Sequence, residues 1–341
     1  MKQITDLIAS ATNRVHSDLD LYDVLSAALE AQYADDRESL SELDQRARRS
    51  TYVNVIIACY GVIEQTIDEI LISTAAVLSS IYPSRSALPE RVQKDHRELL
   101  LRCLIDGDRA RTRVPVEENS AFAALGASPE AEPGLIGAVF TLSTANYRWD
   151  YVAQLLSRLS INVLQRISNI PDEEAGRTGF NSFESFLIDL VQRRNDVAHS
   201  YGDKDTLAPG LLRSYVDTAG AYLRSVNAAV TEELLDRVLD VRLTSLGTVV
   251  KRWEGRVGVH MERGRLSVGD QLLLVKHGAA TVHTVRSLQS QDQGADHFEV
   301  RNGAVDVSAG VDVAPTNCEG AASYVVDAEW ADLLPKTMDG S

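Results

Sequence analysis

Leu190-Val191-Gln192-Arg193-Arg194-Asn195-Asp196-Val197-Ala198-His199-Ser200-Tyr201-Gly202 is the stretch on which the reading of this chain turns. Apolar residues recur through it and upstream of it at helical spacing, which predicts a helix over about 181–201 that stops at the glycine. At about 100° per residue, Phe183, Phe186, Leu187, Leu190, Val191, Val197 and Ala198 share one face. Arg194 falls near the centre of that face, where a permanent charge is costly unless something requires it. Five positions on stands His199, the side chain best suited to moving protons near neutral pH.

The same arithmetic sets Arg194 and His199 about 140° apart around the helix. From a straight helix in one subunit they do not converge on one phosphate. Either the helix unwinds at Ser200–Gly202, or two copies of the segment face each other across a two-fold axis. An apolar face that bears an arginine fits the second arrangement.

Working outward, the chain is helical in pattern up to about residue 240. Ile56, Tyr60, Ile63, Ile67, Ile70, Thr74 and Val77 alternate at four and three, one stripe of a helix over about 50–79. Helices are also expected at 4–31, 36–49, 90–105, 147–168 and 206–238. Residues 106–137, with Gly, Pro and mixed charge, read as a long loop or insertion. After Leu243 the pattern changes to short β-rich pieces at 246–252, 256–261, 271–276, 281–288, 297–301, 305–307, 311–314 and 322–327. Gly264, Gly269-Asp270, His277-Gly278 and Asn302-Gly303 punctuate them. The expected architecture is multidomain α + β. An all-α bundle over 1–240 precedes a small β-barrel over 241–328 and a tail at 329–341.

With 341 residues, two domains are the ordinary expectation. A net charge of −15 argues against a broad electrostatic nucleic-acid binder but leaves room for a local basic site. Cys59, Cys103 and Cys318 are far apart and form no CxxC, which suits a reducing compartment and offers neither a disulfide framework nor a metal site. The histidines His260, His277, His283 and His297 lack metal-ligand spacing, so no zinc and no other cofactor is expected. The start of the chain lacks the apolar run of a signal peptide, and no apolar run reaches membrane-spanning length. The expected location is the cytoplasm, with no membrane partner.

The residue types around Arg194 support phosphodiester cleavage without metal. His199 would take the 2′-hydroxyl proton or give one to the leaving oxygen. Arg194 would hold the phosphate and stabilise the charge that grows on it. Asn195 would add polar positioning. The alternative is an arginine paired with a buried carboxylate such as Glu64, beside a histidine that caps a helix C-terminus. Glu64 lies at the flank of the 50–79 stripe among Val53, Ile57, Tyr60 and Leu71, where a carboxylate needs a partner, so it is a candidate either for catalysis or for a structural ion pair.

Arg194-Asn195-Asp196-Val197-Ala198-His199 resembles the RX4–6H motif of HEPN ribonuclease domains, including the polar residue after the arginine. The helix around Ala58-Cys59-Tyr60-Gly61-Val62-Ile63-Glu64 resembles the long early helix of those families, and Leu211 to Leu239 their closing helix. The resemblance covers roughly 1–240, with 106–137 unplaced. It implies a homodimeric, metal-independent endoribonuclease, often a toxin or an antiphage-defence effector, with Arg194 and His199 catalytic and Asn195 assisting. Arg193 is a candidate substrate contact. Tyr201 extends the match to RX4HXY, a form whose tyrosine is adenylylated by a partner nucleotidyltransferase; the simpler role is a ring that lines the cleft and stacks on a base.

Glu262-Arg263-Gly264-Arg265-Leu266-Ser267-Val268-Gly269-Asp270-Gln271-Leu272-Leu273-Leu274 and Thr281-Val282-His283-Thr284-Val285 resemble the second, β-barrel domain of translational GTPases of the elongation factor Tu type. The chain has no G-x-x-x-x-G-K-[ST], so it is not itself a GTPase. Such a barrel would serve recognition. Lys251, Arg252 and Arg256, with Arg263 and Arg265, form its basic stretch for a tRNA end or other RNA. The rival to a nuclease is a non-catalytic dimer that binds RNA or protein, or the regulatory component of a toxin–antitoxin or defence pair.

Overall fold

The computed structural model describes residues 2–33, 35–167, 177–199, 206–243, 245–276, 279–312 and 317–326. The chain divides into two compact units, Met1–Glu233 and Leu234–Ser341. The first is helical; the second holds a closed antiparallel barrel, the α + β combination expected from the change of periodicity.

In the first unit, α1 (Lys2–Gln32) and α2 (Arg37–Ile81) form an antiparallel pair, joined where Tyr22 and Ser26 both donate to Asp44. The two helices expected over 36–79 are one element of 45 residues. Asp36 starts it by accepting from the Ser39 N–H at 3.1 Å, and no proline interrupts it before Pro83. That proline holds Tyr82 extended, at φ −88° and ψ 137°, and ends the helix. Ile56, Tyr60, Ile63, Ile67, Ile70 and Thr74 are buried, as the stripe required.

The helices α3 (Glu90–Asp106), α4 (Glu118–Gly126), α5 (Gly137–Phe140) and α6 (Trp149–Ser157) follow. The 106–137 stretch, expected as a loop, carries α4, whose Ala121 is buried. It is also pinned to the end of α2. The Arg85 and Ser86 N–H groups donate to the Ala131 and Pro129 carbonyls, both at 2.9 Å, and the Leu135 N–H donates to Ser79 Oγ at 3.0 Å. The helix expected to reach residue 168 stops at Ser157. Arg158 donates to the Phe140 and Leu142 carbonyls at 2.8 and 2.9 Å, and Ser160 turns the chain with a positive φ of 57°.

The last two helices are α7 (Phe183–His199) and α8 (Pro209–Val241). On α7, Phe183, Phe186, Leu187, Leu190 and Val191 are buried within this chain. Phe183 meets Tyr222 with ring centroids 5.5 Å apart, and Phe186 meets Tyr215 at the same distance. This corrects one expectation. The apolar face of α7 is filled by α8 of the same chain, so it does not lie open to a second copy and gives no ground by itself for a two-fold axis. His16 and Arg213 tie α1 to α8 through Asp217 at 2.9 Å, Asp20 at 2.8 Å and Asp23 at 2.6 Å.

In the second unit the strands are β1 (Ser245–Trp253), β2 (Arg256–Met261), β3 (Gly264–Ser267), β4 (Gln271–Lys276), β5 (Ala279–Ser290), β6 (Gln293–Ala295), β7 (His297–Val300), β8 (Val305–Val311) and β9 (Ala322–Val326). The order β4-β9-β1-β2-β8-β5 closes on itself through a β4–β5 pairing, giving six strands and no open edge in the ring. Hairpin strand β6 extends β5, while β3 and β7 pair as a separate ribbon. The sequence reading missed β3 and β6, and it split β8 in two. The interior is filled by Leu246, Val249, Val257, Val259, Met261, Leu272, Leu274, Val285 and Val307. The run Leu272-Leu273-Leu274 breaks simple alternation because Leu273 packs outside the barrel, with Leu235 from the last turns of α8, Ala280 and Val326.

Candidate functional site

Arg194 leaves the buried face of α7 at its last apolar turn and lies half-buried beside α2. Its guanidinium carbon sits over the Tyr60 ring, 5.0 Å from the centroid. Its Nη1 donates to Asn195 Oδ1 at 3.2 Å. The same oxygen accepts from Asn146 Nδ2 at 3.4 Å, so Asn195 links the arginine to the 143–148 loop. That loop is held in turn by α2 and α6: the Tyr147 N–H donates to Tyr60 Oη at 3.0 Å, and the Thr144 N–H to Tyr151 Oη at 2.8 Å.

These elements enclose an open cavity of about 680 Å³. Arg194 and Glu64 line it from α7 and α2, Asn146 and Arg148 from the loop, Arg111 from the 110–117 stretch, and Asp150 and Gln154 from α6. Arg111, Arg148 and Arg194 have no ion-pair partner among the described residues. Three guanidiniums therefore face one polar space in a chain of net charge −15. Among the described residues only Glu64 and Asp150 oppose them there. Such a cavity favours an anion with several oxygens.

Glu64 is in the site but is not paired with Arg194, so the structural ion pair, one of the two roles open to it from sequence, is not formed. Tyr60 serves both: it donates to Glu64 Oε1 at 3.2 Å while its ring carries the guanidinium. Burial pushes the Tyr60 phenol up to about 12, partly offset by the Tyr147 N–H, so it stays protonated and able to donate.

One turn below, Asp68 is buried and accepts from Tyr147 Oη at 2.5 Å. Burial raises its carboxyl to about 6, with Glu64 and Glu69 adding to the rise and the Tyr147 hydrogen bond and Arg113 opposing it. Burial, and then Arg85, lowers His96 to about 4, where its Nε2 accepts the Ile136 N–H at 3.0 Å. As pH falls below about 6.5, the unfolded chain protonates its histidine and the folded chain does not, so His96 costs stability down to about 4. Asp68 acts oppositely: the folded state takes its proton near 6, the unfolded state only near 3.8, so stability rises as pH falls through that window. Each effect is worth roughly 2–3 kcal/mol, and the two largely cancel. Asp68→Asn is expected to be more stable than the wild-type protein by that amount at pH 7.5, with the advantage gone at pH 4. Urea unfolding at the two pH values checks this; an advantage independent of pH would refute it.

The remaining sequence candidates fall elsewhere. Arg193 points away from the cavity into an ion pair with Asp189 at 2.7 Å and a hydrogen bond to Tyr52 at 3.4 Å. Tyr215 also donates to Asp189, at 2.5 Å, so Arg193 fastens α7 to α2 and α8 instead of facing substrate. Helix α7 runs unbroken through His199. Tyr201 and His277 lie outside the described residues. Lys251, Arg252 and Arg256 are exposed at the β1–β2 hairpin, where Lys251 Nζ lies 5.3 Å from the centre of the exposed Trp253 ring. Sequence reasoning missed Arg111, Asn146 and Arg148, which carry no periodicity; only the interruption at Pro133–Gly134 and the polar run at 143–148 marked that region.

Cys59, Cys103 and Cys318 are free and buried, and the described residues hold no group of three metal-ligating side chains. No helix among them is long and apolar enough to cross a membrane. No family model, no curated protein and no solved structure matches this chain.

Proposed function

We propose that this protein is a metal-independent endoribonuclease of the HEPN kind. We read it as a cytoplasmic homodimer that acts as a toxin or antiphage-defence effector on tRNA or another translation-associated RNA. One observation carries the reading: Arg194, at the head of the Arg194–His199 spacing, lines a polar cavity with no carboxylate among the described residues paired to it. In the proposed reaction the 2′-oxygen attacks the phosphorus and the bond to the 5′-oxygen breaks. The 2′-hydroxyl proton goes to His199, and a proton is returned to the leaving oxygen. Arg194 holds the phosphate oxygens as charge accumulates on them, and Asn195 keeps Arg194 in place.

The dimer is proposed because α7 stays helical through His199, and five positions of a helix amount to about 140° of rotation from Arg194. A second subunit would complete the pair. Lys251, Arg252 and Arg256 on the barrel would dock the RNA, and Tyr201 would stack on a base or take a partner enzyme's modification. The test is purified protein incubated with total RNA in EDTA. RNA left intact would refute the reading.

A second reading is a non-catalytic dimer that binds RNA or a protein partner, such as the other half of a toxin–antitoxin pair. The seat of Arg194 over Tyr60 favours it, since that contact is complete without a ligand. It predicts binding with no cleavage.

A further inference from the structure

We infer that the same cavity holds a second phosphate subsite, built by Arg111 and Arg148, for the nucleotide next to the one whose phosphate Arg194 binds. This rests on the nuclease reading for the role of Arg194, but the subsite itself follows from charge and space. Arg111, Arg148 and Arg194 come from three separate elements, and among the described residues none is neutralised by an ion pair. Cations gathered this way repel one another, and the arrangement is favourable once an anion of matching spread fills it.

A lone phosphate is too small to fill the cavity. The cavity measures about 680 Å³, in the range of pockets that bury a drug-sized ligand, and it is open to solvent. Its polar groups come from several elements. Asn195 accepts from both Arg194 and Asn146, while Asp150 and Gln154, one turn apart on α6, line the same cavity as Arg148, which directly precedes that helix. An acceptor and an amide at that spacing suit the edge of an unstacked base, the feature by which proteins read single-stranded RNA. The ligand is therefore a stretch of single-stranded RNA at least two phosphates long.

The walls of the subsite are held in place before any ligand arrives. The Ser143 N–H donates to the Arg111 carbonyl at 3.0 Å, and the Arg113 N–H to Thr141 Oγ1 at 2.7 Å. Arg113 is also ion-paired with Glu69, at 3.7 Å. Arg113 thus anchors the stretch of chain that carries Arg111. Arg148 directly precedes α6 and its N–H donates to the Asn146 carbonyl at 2.8 Å.

The experiment measures binding of a fluorescent single-stranded hexamer with 2′-O-methyl sugars, which lack the attacking hydroxyl. Binding is followed against salt for wild type, Arg111→Gln, Arg148→Gln and the remote control Arg102→Gln, with thermal melts to confirm folding. Each cavity variant is expected to weaken binding at least five-fold. Each should also lower the slope of log K against log salt by about 0.7, the value for one phosphate contact on a single strand. In cleavage of unmodified RNA, KM rises more than kcat falls. The control keeps wild-type affinity and slope. Folded Arg111→Gln and Arg148→Gln proteins with wild-type affinity and slope would overturn the subsite even if the wild type cleaves RNA. Slopes that fall as expected in a protein that never cleaves would uphold the subsite and sink the nuclease reading.

Discussion

Arg194→Ala is expected to lower RNA cleavage by at least a thousand-fold in EDTA, and Arg194→Lys by ten- to a hundred-fold. The lysine retains the charge but not the planar fork that grips two phosphate oxygens at once. Folding should change little, because among the described residues the alanine removes only a cation–π interaction with Tyr60 and a hydrogen bond to Asn195 from a half-buried side chain. His199→Ala is expected to lose at least a hundred-fold, the ordinary worth of a positioned acid or base. The dimer gives the sharper test. If Arg194 of one subunit serves His199 of the other, each single variant is inactive alone. A mixture re-equilibrated through the monomer should then recover about a quarter of wild-type activity, because half the dimers are mixed and each carries one intact composite site. No recovery, in a mixture shown to contain heterodimers, would place both residues in one subunit, and full activity of His199→Ala alone would remove His199 from the reaction. Cleavage by Arg194→Ala at the wild-type rate would leave Arg194 a structural role only.

The helical and barrel halves were legible because period is a local property. A stripe at three and four, or alternation at two, survives whatever lies beside it. Arg194 was legible for the same reason: on Phe183, Phe186, Leu190 and Val191 periodicity marks a buried face, and a charge near its centre stands out. Periodicity does not say what buries the face. Tyr215 and Tyr222 of the same chain do so here, which is why the sequence argument for a dimer through that face did not survive. For Glu64 the stripe shows only that a carboxylate there needs a partner; it does not show that Tyr60 meets both Glu64 and Arg194. Arg111 and Arg148 carry no periodicity, and the polar run at 143–148 marks only the place of a loop. Their approach to Arg194 depends on Tyr60 and Tyr151 fixing the 143–148 loop, a tertiary arrangement that spacing along the chain does not encode. The third strand escaped because Gly264 reads as a turn glycine; its φ of +86° is indeed a turn conformation, and the strand starts at that residue.

Gly247→Ala is expected to be the most damaging single change in the barrel, costing about 3–5 kcal/mol. Gly247 lies at a register shift in β1, with φ at +144°, where an L side chain is strained by about 1–3 kcal/mol. A methyl group there would stand 1.9 Å from the His260 carbonyl oxygen and 3.2 Å from the Glu262 nitrogen. Both are backbone atoms of the neighbouring segment, so no flexible side chain can swing aside. The Glu262 N–H donates to the Leu246 carbonyl at 2.7 Å, so pushing the two strands apart also breaks the bond that holds the bulge. Overpacking of this kind adds roughly 1–3 kcal/mol to the strain. Because the ring closes through every strand, the loss cannot be confined to a frayed edge. Gly303→Ala is the comparison. Its φ of +91° carries backbone strain, but nothing lies within 4 Å of the added carbon. It should therefore cost only the strain, about 1–2 kcal/mol. Denaturant unfolding of the two variants beside the wild type separates them. Equal midpoints for Gly247→Ala and Gly303→Ala would mean that β1 and β2 can part at the bulge without cost, and that the close approach at Gly247 does not set the closure of the barrel.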